Sequence, residues 1–207
     1  MVVGGIVLCG GQSRRMGRDK ATLPFGDEML LQRVVRLLGG AVERCVVVAA
    51  VGQLLPPLPP EVSVIRDRAT GRGPLEGLYC GLAALGSRVE AAYVTACDAP
   101  FLRPEFVQRM AQLLDDHDVV VPTDGAFHHP LAAVYRTRLV ASIAALLAQG
   151  ERRMISFHDS VSTRRVDIRE LRDVDPELLS LLNINRPEDY TLALRRAGLP
   201  AWPGTGP

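Results

Sequence analysis

The stretch Ile6-Val7-Leu8-Cys9-Gly10-Gly11-Gln12-Ser13-Arg14-Arg15-Met16-Gly17-Arg18-Asp19-Lys20 decides how the rest of the chain is read. An apolar run leads directly into paired glycines, the pattern of a strand that ends in a loop able to bring backbone N–H groups close to an anion. Arg14, Arg15, Arg18 and Lys20 then place four cations within seven residues, against the single acid Asp19. A polyphosphate suits that field, while a Gly-rich turn before a solvated basic segment is the plainer reading. Two better-known phosphate loops are excluded. G-x-x-x-x-G-K-[ST] needs a Gly-Lys pair that this loop lacks, and G-x-G-x-x-G is not found in it. Gly71-Arg72-Gly73-Pro74-Leu75-Glu76-Gly77 misses the second pattern by one residue.

Working outward, short β-branched runs alternate with helix-like segments, which predicts an α/β fold with a mostly parallel sheet. Val2–Leu8 is the first strand. Leu30, Leu31, Val34, Val35, Leu37 and Leu38 recur at helical spacing before Gly39-Gly40, and Cys45–Val51 reads as a buried second strand. Leu54-Leu55-Pro56-Pro57-Leu58-Pro59-Pro60 cannot enter a central strand or helix interior, because proline lacks the N–H donor, so it is a stiff connector rather than a polyproline ligand. A core strand Val62–Ile65, a helix Pro74–Leu85 and a strand Ala91–Ala96 follow. Then come a helix Pro104–Leu114, strands Val119–Val121 and Leu131–Tyr135, and a helix Arg138–Gln149. The pattern weakens from Glu151 to Asp175 and closes with a helix over Arg186–Arg196. The tail Leu199–Pro207 reads as disordered.

At 207 residues the chain suits one domain, here residues 1–198. The formal net charge of +1 argues against a surface built for polyanions, so no nucleic-acid partner is expected. Cys9, Cys45, Cys80 and Cys97 lack C-x-x-C spacing and lie in or beside apolar runs, which predicts core thiols. No signal-peptide pattern and no apolar run approaching the ~18 residues of a membrane span is seen, so a cytoplasmic location is expected.

In open α/β sheets the ligand lies beyond the carboxyl ends of the strands, so acids just after strands are the first candidates for metal or ribose contacts. Asp98, in Cys97-Asp98-Ala99-Pro100-Phe101, and Asp67, in Val64-Ile65-Arg66-Asp67, both qualify. Mg²⁺ asks for few protein carboxylates and keeps waters and phosphate oxygens as its other ligands. An Asx-turn or helix cap at Asp98, and a surface pair of Asp67 with Arg66 or Arg68, are the plainer alternatives.

Taken with these residues, the N-terminal loop resembles that of the molybdenum cofactor guanylyltransferase family, whose signature is Leu-Ala-Gly-Gly, then Arg-Met-Gly, then Asp-Lys. Cys9 stands for the alanine. Cys97-Asp98-Ala99-Pro100-Phe101 resembles the family's second signature, whose aspartate is the magnesium ligand, and Gly73-Pro74-Leu75-Glu76-Gly77 resembles its Gly-Pro-Leu-Ala-Gly. Asn183-Ile184-Asn185-Arg186-Pro187-Glu188-Asp189 resembles Asn-x-Asn-Thr-Pro-Glu-Asp. The resemblance implies a three-layer, Rossmann-like nucleotidyltransferase fold and transfer of GMP from GTP to the phosphate of molybdopterin, with Mg²⁺ as cofactor and pyrophosphate released.

Residue by residue, the resemblance implies catalytic roles for Arg15, Lys20 and Asp98, with Asp98 on the metal. It implies nucleotide contacts from Leu8, Cys9, Gly10, Gly11, Lys20, Asp67, Gly73, Pro74, Leu75 and Asp98. For the acceptor it implies His129, Pro130, Arg152, Arg153, Asn183 and Asn185. Asn185 also fits as the N-cap of the last helix, and the Arg152-Arg153 pair fits equally as charge at a helix C-terminus. Glu76, facing solvent or narrowing the site, Ala49-Ala50, where relatives often carry a nucleotide-touching asparagine, and Arg186 depart from the pattern. Molybdoenzymes and cofactor-biosynthesis proteins are the protein partners suggested. Rivals are a CTP-dependent cytidylyltransferase on the same pterin, a sugar-1-phosphate nucleotidyltransferase and a nucleotide-binding accessory protein without turnover; Gly10-Gly11 and Asn183-x-Asn185 favour guanine.

Overall fold

The computed structural model describes residues 1–10, 16–67, 73–125 and 127–201. Strand β1 (Val3–Leu8) is followed by a 3₁₀ turn (Lys20–Thr22) and a small hairpin of β2 (Pro24–Phe25) and β3 (Glu28–Met29), then by helix α1 (Leu30–Gly39). Next come β4 (Arg44–Ala49), β5 (Ser63–Arg66), α2 (Pro74–Leu85), β6 (Ala91–Ala96), α3 (Pro104–Gln112), β7 (Val119–Thr123) and β8 (Ala132–Arg136). The chain closes with α4 (Val140–Ala148), α5 (Met154–His158), β9 (Thr163–Asp167) and α6 (Pro187–Arg196). Seven strands form one sheet in the order β5-β4-β1-β6-β8-β7-β9. β1 pairs in parallel with β4 and β6, β4 with β5, and β7 with β9; β8 alone runs against its neighbours β6 and β7.

Both sheet faces are covered, as a mostly parallel sheet requires. On one face Val7, Val47 and Tyr93 pack with Leu31, Val34 and Leu38 of α1 and Phe106 and Met110 of α3. On the other, Ile6, Val48 and Val94 pack with Leu75, Leu78 and Leu82 of α2, Ile143 of α4 and Phe157 of α5. α2 lies unusually close to β1 because Gly81 has no side chain; a Cβ there would sit 2.6 Å from Ile6 Cγ2. A third cluster joins Leu23, Phe25 and Leu30 of the hairpin region to Ile184, Tyr190 and Leu194, docking α6 beside the Lys20 turn.

The sheet, α2 and β6 fall where the sequence places them. Three elements differ. The third strand, read as core, is an edge strand whose Ser63, Val64 and Arg66 are exposed. Between Glu151 and Asp175, where the pattern fades, lie α5 and the edge strand β9, in which only Val166 is buried. Leu199, assigned to the tail, donates its N–H to the Leu194 carbonyl at 2.9 Å and packs on the third cluster; residues 202–207 lie outside the described residues. All four cysteines are buried thiols outside any disulfide. Among the described residues, no helix is long and apolar enough to cross a membrane.

Candidate active site at the carboxyl edge of the sheet

The parallel register fixes where the chemistry collects. Leu8 is level with Val48 and Ala96, and Ala49 with Arg66, so Cys9, Ala50, Asp67 and Asp98 all emerge at the same edge. Asp98 leaves β6 into a turn anchored on two sides: its carbonyl accepts from Ile184 N–H at 3.0 Å, and the Pro100 carbonyl accepts from Arg33 Nε at 2.6 Å. Phe101 stacks edge-on against Phe25 with centroids 5.8 Å apart. The carboxylate is thus held by the turn itself.

Lys20 comes from the other end of the N-terminal loop. Asp19 caps its turn, accepting from Ala21 N–H at 2.9 Å, and Lys20 Nζ donates to Asp98 Oδ2 at 2.6 Å and to Asn185 Oδ1 at 3.2 Å. Two signatures 78 residues apart in sequence meet here. Burial pushes the Asp98 carboxyl above the ordinary aspartate range, and the Lys20 ammonium opposes that by favouring the charged form. Asp98 Oδ1 is buried with no hydrogen-bond partner. Asp98 is not a helix cap; α3 begins only at Pro104, behind the cap residue Arg103.

Asp67 lies over the loop entry. Its Oδ2 is so near Gly10 that a Cβ at that position would be 2.9 Å away, and its Oδ1 is buried without a partner. Burial raises its pKa, and the neighbouring Glu76 raises it further. Glu76 does not face solvent: it is 1% exposed, in the first turn of α2. Leu75 is fully buried below it. Gly73, just before Pro74 and α2, has φ of +76°, and a Cβ there would meet the Arg152 carbonyl at 3.0 Å. Only glycine suits that backbone and that contact. The loop carrying Arg152 therefore lies against the start of α2, bringing a residue read for the acceptor beside residues read for the nucleotide.

Around that loop, Arg152 and Arg153 are exposed, with Glu151 Oε1 accepting both of their backbone N–H groups at 2.8 Å; those bonds, Arg153's first, pull the Glu151 carboxyl down to about 2. These arginines stand at the start of α5, so a C-terminal dipole role is not what the structure shows. His129 is half-buried, and burial lowers its pKa. Tyr135 Oη donates to the Pro130 carbonyl at 2.9 Å, which leaves His158 Nε2, 2.9 Å from that hydroxyl, to donate to the hydroxyl oxygen. Asn183 is half-buried. Asn185 does not cap α6: Arg186 holds the cap position, and Asp189 Oδ2 accepts the N–H groups of Asn185 and Arg186 at 2.9 Å. Gly11 and Arg15 lie outside the described residues, as do Arg14, Arg68, Gly71 and Arg72.

One residue escapes sequence reasoning altogether. Gln53, in the turn before the proline run, donates from Nε2 to the Cys9 carbonyl at 3.2 Å and to both Asp19 carboxylate oxygens, at 3.0 and 2.9 Å. No motif marks it. Among the described residues, no three or more His, Cys, Asp and Glu side chains gather as a metal cage. The donor set instead suits a hard cation that takes one carboxylate and fills its remaining positions with substrate oxygens and water.

The solved structure of molybdopterin-guanine dinucleotide biosynthesis protein A from Archaeoglobus fulgidus matches with a TM-score of 0.79 over 94% of this chain and 98% of that one, at 23% identity, a likeness of fold. A probable molybdenum cofactor guanylyltransferase of Mycobacterium marinum is 40% identical over 196 residues, 92% of each chain. One of Mycobacterium tuberculosis H37Rv is 44% identical over 179 residues, 83% of this chain and 88% of the relative. The model of the MobA-like NTP transferase domain matches residues 5–162, a span that holds the N-terminal loop, Asp67, the start of α2, Asp98 and the arginine pair, and the chain belongs to that family.

Proposed function

We propose that this chain, through a unit spanning residues 1–198, transfers GMP from GTP to the phosphate of molybdopterin and releases pyrophosphate. The carrying observation is the Lys20–Asp98 pair, a cation and a buried carboxylate set together at the carboxyl edge where the sheet opens to ligand. Relatives 40 and 44% identical, named as probable molybdenum cofactor guanylyltransferases, support the choice of reaction.

The chemistry asks for placement and charge. An oxygen of the acceptor phosphate attacks the α-phosphorus; that P–O bond forms as the α–β bridging P–O bond breaks, and the leaving pyrophosphate carries off the electron pair. Leu8, Cys9, Gly10 and Gly11 would approach the nucleotide through backbone, with Asp67 beside them and Gly73, Pro74 and Leu75 at the start of α2. Lys20 and Arg15 would balance charge growing on the transferred and leaving phosphates, in a site already organised for it. Asp98 would hold Mg²⁺, whose charge, when bound, lowers the repulsion between phosphate oxygens. His129, Pro130, Arg152, Arg153 and Asn183 would receive the anionic acceptor. Asn185 would join them, while its Oδ1 accepts from Lys20.

Pyrophosphate release, measured with each nucleoside triphosphate with and without molybdopterin, tests this reading. Release with GTP that depends on molybdopterin and a divalent ion is expected. Preference for CTP would make the chain a cytidylyltransferase, turnover with sugar phosphates another nucleotidyltransferase, and nucleotide binding without release a binding protein.

A further inference from the structure

Gln53 joins both feet of the N-terminal loop. Cys9, on the entry side, offers its backbone carbonyl to Nε2 at 3.2 Å, and Asp19, on the exit side, offers both carboxylate oxygens, at 3.0 and 2.9 Å. Oε1 of the same side chain accepts from Ala50 N–H at 3.0 Å, at the end of β4. A carboxamide has two N–H donors and one oxygen, and each meets a partner of the opposite kind. The reversed amide would turn its oxygen toward a carbonyl and a carboxylate and its N–H group toward another N–H, so the orientation is determined. The main chain of Gln53 is itself fastened: its N–H donates to the Ala50 carbonyl at 3.2 Å, and its carbonyl accepts from Arg66 Nη1 at 2.8 Å.

Asp19 is the residue through which this reaches the chemistry. Its Oδ1 caps the turn that begins at Lys20, and Lys20 meets Asp98. With Gln53 removed, Asp19 keeps its own cap but loses its tie to β1 and β4, and Lys20 is carried on a loop fixed at one end less. We propose that Gln53 is a positioning residue for the nucleotide donor: one carboxamide closes the Gly-rich loop between Cys9 and Asp19 and thereby sets Lys20 against the triphosphate. The inference rests on the reading of this loop as the GTP site.

The test uses the full chain and four variants, Gln53→Ala, Gln53→Glu, Asp19→Asn and the Gln53→Glu/Asp19→Asn pair. Readouts are GTP binding, the KM for GTP and for molybdopterin, and thermal melting. Gln53→Ala should raise the KM for GTP about tenfold, the scale of losing one hydrogen bond to a charged group, with the KM for molybdopterin unchanged and the melting temperature lower by a few degrees, because the Cys9 carbonyl and Ala50 N–H lose their partner too. Gln53→Glu should do more harm, since it sets a carboxylate against a carboxylate. Adding Asp19→Asn to it should recover GTP affinity, because the new amide at position 19 can donate to the new carboxylate. A wild-type chain that binds and turns over GTP beside a Gln53→Ala chain with the same KM overturns the inference alone. So does a pair no better than Gln53→Glu, or a loss shared equally by both substrates. A wild-type chain that neither binds GTP nor releases pyrophosphate removes the underlying reading, and the inference with it.

Discussion

The two halves of the sheet's carboxyl edge are built on different electrostatics. On the β4-β1-β6 side two charged groups at the rim are answered from within: Lys20 by Asp98 and Asn185, Asp19 by Gln53 and the turn it caps. On the β8-β7-β9 side, Arg152 and Arg153 stand exposed, and the buried His158 is held well below its usual pKa, at about 4. A side that must place one phosphorus atom for in-line attack gains from partners that fix its groups before the ligand arrives. A side that only gathers an anion can leave its arginines in water, where their positions cost little. The difference teaches where substitution should hurt catalysis and where it should touch affinity alone.

The largest effect that would break this contrast concerns the fixed side. Lys20→Ala and Asp98→Ala should each lower turnover by ~10²-fold or more, the scale of deleting one preorganised electrostatic group, read from steady-state pyrophosphate release. Variants with near-wild-type turnover would show that the rim's organisation is not catalytic.

Next in size is a pH effect on stability from the other side. Burial first, then the like charges of His128 and Arg165, lowers the His158 pKa to about 4, against a weaker opposite pull from Asp159. The unfolded chain takes up this proton near the ordinary histidine value while the native chain refuses it. The contribution is therefore present above ~6.5 and lost as pH falls toward about 4. Unfolding free energies from urea titrations should fall between pH 7 and pH 5, by on the order of 2 kcal/mol from this group, and His158→Gln should flatten the slope. An equal slope in that variant would assign the loss elsewhere.

The smallest effect sharpens the comparison most. Arg152→Ala or Arg153→Ala should raise the KM for molybdopterin about tenfold or less, the scale of one charge-assisted contact, and leave the KM for GTP nearly unchanged. Equal rises for both substrates would mean that the contact of Gly73 with Arg152 couples the two sides more tightly than their charges suggest.

How much of this was legible in the sequence follows from how far each interaction reaches. Pro74–Leu85 and Ala91–Ala96 are read to the residue because proline, glycine and a continuous apolar run mark their bounds locally. β9 escapes because an edge strand with a single buried residue, Val166, has no alternation to detect. Asp98 and Lys20 are each visible as motif residues, yet their meeting depends on β1 and β6 being neighbours, which no local pattern states. Glu76 is left open in the sequence between solvent and site because helical periodicity around it is weak on a helix that is apolar nearly all round. Gln53 carries no signal, since a lone glutamine in a surface turn has the same appearance whether it faces water or bridges two ends of a loop.

The reversal of β8 reaches beyond the sheet. Because it runs opposite to β7, the joining segment through His128, His129 and Pro130 turns back at the same rim and needs no helix to carry the chain across. A surface turn of that kind can lengthen, shorten or change composition at small entropic expense, while the parallel strands that hold the donor stay as they are. Under the proposed reaction, one reversed strand would give the scaffold a replaceable lip, through which the choice of acceptor could be rewritten without disturbing the machinery that handles the nucleotide.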